Sequence, residues 1–488
     1  MVYLKRLLLP SSLFFSAFLL TWYLTASYFT ASLDEGIYLN GGHRIAEGQI
    51  LYKDFFAFIG PITYWIEGLL YAIFGNSIPH LRLSTAFSIA AITLGAYTLA
   101  NTIAGRTAGL VSSALWLSIA IDLPNRMEVN HRWLSLAFYS LAFVVFLGKP
   151  AGPGIVNSIV GVLLALSVFT TPSFAVSTAL ILVYLYTRNR KAFVPVLAGS
   201  LAAAILILAI LAWQGALIPF YQGILWAMDN YGQANRFDYG RFGAIMPWRY
   251  FLQVYLGAIV IPLGSMLALA TLWMKRESKI EIPLVFCLAL FTTAIPKWDA
   301  YSLHFISAPF FSLAFACVFA AVPEVLRLSM RGLGAALCFF FLFNAFTLPD
   351  RLSNMPSRAG QLMAADTTIR AFEILEQAIP AKSRVFVYPY MTSLYTLLDV
   401  ENPARHEFLQ PGMMTSTDED TVLEDLAKTP VDFIFWQDFP DADVRRVWPS
   451  SNPDRHRFTR LEKLIREGFE PGVEVSIQTL RGRVWKRR

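Results

Sequence analysis

The chain reads as a polytopic α-helical membrane protein with about 11 spans, residues 1–348, followed by a soluble α/β domain, residues 349–488. Three observations predict this. Hydrophobic residues make up 56% of the 488 and charged residues only 15%, where a soluble domain carries about 25% charged. Apolar runs of membrane-spanning length recur through the first part. The acidic residues are segregated, with 21 of the 34 after position 348 and 13 before it.

The first apolar run, "LLLPSSLFFSAFLLTWYLTASYFTA", predicts a span over 8–30. It is longer than a signal h-region and has no clean small-x-small cleavage site, so it is expected to stay as an anchor. Further spans are expected over 81–101, 106–122, 132–148, 155–170, 172–187, 192–213, 250–274, 281–296, 304–323 and 331–348. Thr171 and Pro172 interrupt the pair 155–187, which reads as a tight hairpin or as one kinked helix.

Lys and Arg orient these spans. Lys5 and Arg6, Arg106, Lys149, "RNRK" at 188–191, "KRESK" at 275–279, and Arg327 with Arg331 all fall on one side when the N-terminus is cytoplasmic. The expected location is a cytoplasmic (inner) membrane, with segments 31–80, 123–131, 214–249, 297–303 and the C-terminal domain outside. These clusters account for the net charge of +6, so it does not point to nucleic acid. The three cysteines, Cys287, Cys317 and Cys338, lie inside apolar runs and read as small core hydrophobes.

The first outer loop, 31–80, is long and amphipathic. "GIYLNGGHRIAEG" predicts a short helix and "GPITYWIEGLLYAIFG" a second, apolar one, both suited to lying along the membrane surface. In the tail, "AGQLMAADTTIRAFEILEQAIPA" has helical periodicity, while "SRVFVYPYM", "VDFIFWQD" and "EVSIQTLRGRVW" read as strands.

Asp34 and Glu35 stand at the exit of the first span. One reading is dipole complementarity, since acidic residues are favoured in a helix's first turn. The other is a general base at the membrane surface, within reach of an acceptor hydroxyl and level with lipid phosphates.

A resemblance bears on this choice. The order is the Asp-Glu pair, then "GIYLNGGHRIAEGQILYKDF", then "GPITYWIEGLLYAIFG", then "RLSTAF" opening the next span. It resembles the GT-C superfamily of polytopic glycosyltransferases that use polyprenyl-phosphate sugars, among them protein O-mannosyltransferases and the lipid A aminoarabinose transferase. The ordered match runs from position 34 to position 87. It implies a catalytic Asp in the first outer loop, carried over to Asp34 with Glu35 supporting it. It also implies a polyprenyl-phosphate sugar donor, inversion at the anomeric carbon, and a glycan, lipid or protein acceptor.

"PKWDAYSLHFISAPFF" at 296–311 is similar to the family's late outer loop, with Lys297 at its basic position, His304 at the next and Pro309 at its Pro. Lys297 then faces the donor phosphate, or else snorkels to headgroups. In "PNRMEVNHRWLS", relatives carry an acidic residue near the end where this chain has Asn130 and His131; His131 and Arg132 are candidates to orient phosphate or acceptor. Lys53 is a further phosphate candidate. Arg236 and Arg241, set among aromatics in "DNYGQANRFDYGRFG", suit a sugar or an ordinary interfacial loop. Arg82 matches the family's Arg after the surface helix.

Some relatives bind a divalent metal just before the Pro of the second surface helix. Here Ile59 and Gly60 precede Pro61 and neither side chain ligates, so no metal or other cofactor is expected to be required. The alternative from another class is a transporter or flippase of a lipid-linked saccharide. That reading calls for charge at mid-membrane and repeat symmetry, whereas here the polar groups collect at one face.

Overall fold

Long apolar stretches with polar breaks become helices because each helix satisfies its own backbone. In the computed structural model they are α1 (Val2–Thr25), α5 (Leu83–Ala104), α6 (Arg106–Ile121), α7 (His131–Gly148), α8 (Pro153–Thr170), α9 (Phe174–Arg188) and α10 (Arg190–Trp213). Two more follow at Glu281–Phe291 and Glu324–Thr347. The structure describes residues 2–30, 33–121, 128–148, 153–234, 280–294, 324–347, 352–448, 450–478 and 480–488, with isolated positions at 270, 312–313 and 315–320. Among these, four helices are long and apolar enough to cross a membrane: Leu8–Thr25, Ile78–Ala104, His131–Gly148 and Arg190–Trp213. Most of the expected spans 250–274 and 304–323 lie outside the described residues. The pair 155–187 is two helices, broken at Thr171–Ser173.

The loop after α1 forms the two expected helices, α2 (Leu33–Ala46) and α3 (Pro61–Phe74), joined to α5 by the short α4 (Ile78–Leu81), and residues 35–44 of α2 are buried on every side. Pro61 starts α3 at the position where a helix amide has no intrahelical acceptor anyway. After α10, the helix α11 (Leu217–Trp226) runs into a π-helical turn at Ala227–Tyr231.

Residues 352–488 form a mixed layer. A hairpin, β1 (Ser353–Ser357) and β2 (Gly360–Ala364), precedes the helix Asp366–Ala378. The stretch read as one helical segment is therefore strand and then helix; its first apolar residues, Leu362 and Ala364, are buried on one side of the hairpin. The second sheet has the order β3 (Val385–Tyr388), β4 (Phe433–Asp438), β6 (Leu480–Arg487), β5 (Phe469–Ile477), with β3 parallel to β4 and the other pairs antiparallel. "EVSIQTLRGRVW" is thus a hairpin of two strands, not one.

The bundle helices enclose one core, which includes Trp133, Phe143, Phe174 and Phe286. A second core is shared: Ile37, Leu39, Phe55, Tyr64 and Leu81 from these helices and their loop pack with Phe372, Phe386, Leu394, Phe408 and Phe435 from the tail. Backbone bonds stitch the two parts together. Met363 accepts from the Phe29 amide at 3.0 Å and donates to Ser27 at 2.7 Å, and the Phe56 amide donates to the Arg405 carbonyl at 2.9 Å. Gly36 on α2 lies so close to residues 392–393 that a Cβ there would stand 2.2 Å from the Ser393 nitrogen. No side chain fits at that position.

Candidate active site

Neighbouring residues on a helix point about 100° apart, so Asp34 and Glu35 cannot face the same partners. Both sit in the first turn of α2. Glu35 turns into the protein and is 2% exposed. Arg82 grips it with two bonds, Nε to Oε1 at 2.7 Å and Nη2 to Oε2 at 2.6 Å. The Thr30 hydroxyl donates to Oε2 at 2.7 Å and the Val129 amide to Oε1 at 3.1 Å. Burial alone would raise the Glu35 carboxyl; the Arg82 guanidinium, with Thr30 and Val129, outweighs it and holds the group below its usual range. Arg82 also donates to the carbonyls of Ala26 at 3.0 Å, Thr25 at 3.3 Å and Tyr28. Glu35 is therefore engaged as the anchor of the α1–α2 connection.

Asp34 is half-buried, and nothing among the described residues hydrogen-bonds to it. One turn on, Tyr38 shares its helix face. The Tyr38 ring is 5.5 Å from that of Tyr64 and 5.8 Å from that of His131. Burial raises the Tyr38 hydroxyl well above its usual range; Tyr64, the Asp34 charge and Tyr231 add to this, and Arg132 opposes it. Asp34 thus acts electrostatically on the same tyrosine as Arg132 and Tyr231.

A cavity of about 400 Å³ opens beside this cluster. Its described lining includes His131 and Arg132 at the start of α7, Thr171, Pro172 and Ser173 at the α8–α9 break, and Met228 and Tyr231 of the π-helical turn. Asp34 and Lys53 are not among its lining residues. The broken backbone suits a cavity wall, since irregular backbone at membrane depth survives only where it is buried or faces water. His131 is oriented by its Nδ1 contact to Thr171 Oγ1 at 2.7 Å, and that hydroxyl also accepts from Ser135 at 2.5 Å. Arg132 Nη2 reaches the Tyr231 hydroxyl at 3.4 Å. The described lining holds an arginine and a histidine but no carboxylate, so the cavity suits an anionic group.

The tail packs against this site. Arg455 Nη1 donates to Asn230 Oδ1 at 2.7 Å in the π-helical turn, and His406 stacks on Phe56 at 4.7 Å. Arg44 of α2 donates to the Ala404 carbonyl at 2.9 Å. Two further carboxylates are buried here. Glu67 on α3 is fully buried, and burial pushes its carboxyl up to about 8, with Ser84 opposing the shift and Glu35 adding to it. Glu407 is likewise pushed up to about 8 by burial, with Arg44 and Asn40 pulling the other way.

Among the candidates from sequence, the structure gathers Asp34, His131 and Arg132 around Tyr38. Lys53 is exposed and reaches towards Gly215 at the end of α10. Arg236, Arg241, Lys297 and His304 lie outside the described residues. Tyr38, Tyr231 and Thr171 are additions. The signal for Tyr38 was present as the i+4 neighbour of Asp34; Thr171 and Tyr231 come from elsewhere in the chain and carried none. No group of three or more His, Cys, Asp or Glu side chains suited to a metal occurs among the described residues.

No protein-family model matches the chain, and no curated protein does. Solved structures do. ArnT from Cupriavidus metallidurans bound to undecaprenyl phosphate aligns over 97% of each chain with a TM-score of 0.56 at 13% identity. The apo state of the same protein gives 0.56 over 99% of this chain and 98% of that one, at 13% identity. The apo Archaeoglobus fulgidus oligosaccharyltransferase gives 0.51 at 13% identity, covering 87% of this chain and 69% of that one. The chain shares the fold of these solved structures.

Proposed function

We propose that the chain is an inverting glycosyltransferase that moves a sugar from a polyprenyl-phosphate donor to a hydroxyl of a glycan, lipid or protein acceptor. The work is done at the outer face of a cytoplasmic-type membrane, with residues 349–488 outside. One observation carries this reading: of two adjacent carboxylates, one is paired with Arg82, while the other, Asp34, has no hydrogen bond among the described residues and shares a helix face with Tyr38, whose ring neighbours His131 at the cavity wall. The shared fold supports it, as does the undecaprenyl phosphate bound to ArnT.

In the reaction, an Asp34 oxygen takes the acceptor hydroxyl proton. The acceptor oxygen bonds to the anomeric carbon from the face opposite the phosphate. The bond from that carbon to the lipid phosphate breaks, and its electron pair leaves with the phosphate. Arg132 balances the phosphate charge and Thr171 holds the His131 ring for the same purpose. Tyr38 fixes the space between base and cation. The scheme routes no step through a metal or other cofactor.

The test is transfer of labelled sugar from a panel of polyprenyl-phosphate donors in proteoliposomes, comparing wild type with Asp34→Asn. Transfer or donor hydrolysis should be present in wild type and fall by at least about a hundredfold in the variant. Turnover in Asp34→Asn close to wild type would sink the mechanism. Donor binding and translocation without turnover in wild type would favour a transporter of lipid-linked saccharide instead.

A further inference from the structure

The outward face of the second sheet carries a groove that the proposed reaction does not use. Side chains on a strand alternate between faces, and in β6 Val484 is buried while Arg481, Arg483 and Trp485 point the other way. The register sets Trp436 of β4 opposite Arg483 and Asp438 opposite Arg481; Arg483 stands opposite Glu474 of β5. With Arg457 and Arg466 from the helix side, these residues enclose about 350 Å³, a volume within the usual range of small-molecule clefts. The groove shares no lining residue with the cavity at His131.

Its floor is aromatic. The Trp436 and Trp485 rings are 5.7 Å apart, inclined by 33°, and both are half-buried. The Arg466 guanidinium lies 5.3 Å from the Trp436 ring centre. The charges around this platform balance. Arg457 pairs with Asp441 at 3.1 Å and Glu462 at 3.6 Å, Arg466 pairs with Glu462 at 3.5 Å, and Arg483 pairs with Glu474. Asp438 stands across from Arg481.

A polyanion would find most of these arginines already neutralised. A sugar ring would not depend on them for charge. Its C–H face is apolar and carries partial positive charge, so it stacks on the negative face of an indole. Its hydroxyls both donate and accept, which suits planar Arg and carboxylate groups arranged side by side. We infer that the groove over β4 and β6 is a binding site for a neutral saccharide. Binding here involves no transfer, so this inference and the proposed activity can fail separately.

The test uses the full chain in lipid nanodiscs, titrated with maltohexaose, cellohexaose, mannohexaose and a heparin hexasaccharide, read by calorimetry. Saturable binding of at least one neutral oligosaccharide is expected. Arg481→Ala and Trp485→Ala should each weaken it roughly fivefold to tenfold. Arg481 is exposed, so that variant tests the groove without disturbing the core. Trp485→Phe, which keeps a ring, should retain part of the affinity. No binding of any neutral oligosaccharide by wild type overturns the inference. So does affinity unchanged in both alanine variants, or binding of the heparin hexasaccharide alone.

Discussion

Replacing Arg82 by Met separates the two carboxylates at the start of α2 experimentally. The guanidinium donates six hydrogen bonds: two to Glu35, one to Thr30, and three to the carbonyls of Thr25, Ala26 and Tyr28. Both partners of the ion pair are almost fully buried, with side chains 2% and 3% exposed. Met fills similar volume but leaves the Glu35 carboxylate without its counter-ion in a low-dielectric site. Removing one partner of such a pair costs about 3–5 kcal/mol. Glu35→Gln keeps shape and some hydrogen bonding, and should cost less. Since the two groups share one network, the double variant should be less damaged than the sum of the singles, with a coupling of about 0.5–3 kcal/mol. Denaturant titration in mixed micelles, with all four proteins compared, measures this. Additive effects, or a loss below about 1 kcal/mol for Arg82→Met, would refute the claim that Glu35 is a structural anchor. It would then be a candidate for the base in place of Asp34.

Two further outcomes are expected. Arg132→Met should raise the donor KM roughly tenfold to a hundredfold, because a charge-assisted hydrogen bond contributes about 1.5–3 kcal/mol; kinetics with varied donor would show it, and an unchanged KM would remove Arg132 from the phosphate site. For pH, Glu67 is the sharper handle. Its carboxyl is raised from 4.5 to about 8 in the folded protein, so the folded state binds the extra proton and stability is fully present below about pH 4.5. It declines by about 1.4 kcal/mol per unit as pH rises towards 8 and is level beyond. Glu407 adds a slope of the same sign. Melting midpoints of wild type and Glu67→Gln should therefore diverge between pH 5 and 8, with the variant the flatter of the two; parallel curves would show that Glu67 is not buried as described.

Much of the architecture was legible because membrane spans are long, uniform signals. The two helices of the first outer loop were also legible, since "GIYLNGGHRIAEG" and "PITYWIEGLLYAIF" are helix-length segments set off by breaks at 47–60 and 75–77. The tail was less legible. "AGQLMAADTTIRAFEILEQAIPA" fits one helix by periodicity, but its first residues form β2, which pairs with β1 and also meets the chain at Ser27 and Phe29, over 300 residues earlier. Periodicity is a local signal, and that pairing is not.

The site divides along the same line. An adjacent Asp and Glu look equivalent in sequence, and either could be base or anchor. What separates them is the helix turn, which sends Glu35 towards Arg82 and leaves Asp34 on the face of Tyr38. Arg82 was visible as the residue opening the next span, yet its partner was not, because 47 positions intervene. Once paired, the roles follow from electrostatics. A carboxylate whose charge is held by a buried guanidinium is a poor proton acceptor, since taking the proton would break the pair. The neighbouring carboxylate has no such tie. The anchor also fixes the end of α1 against α5, and so sets where Asp34 stands. Placing the two side by side lets one short segment hold its own position and still present the base of the proposed mechanism.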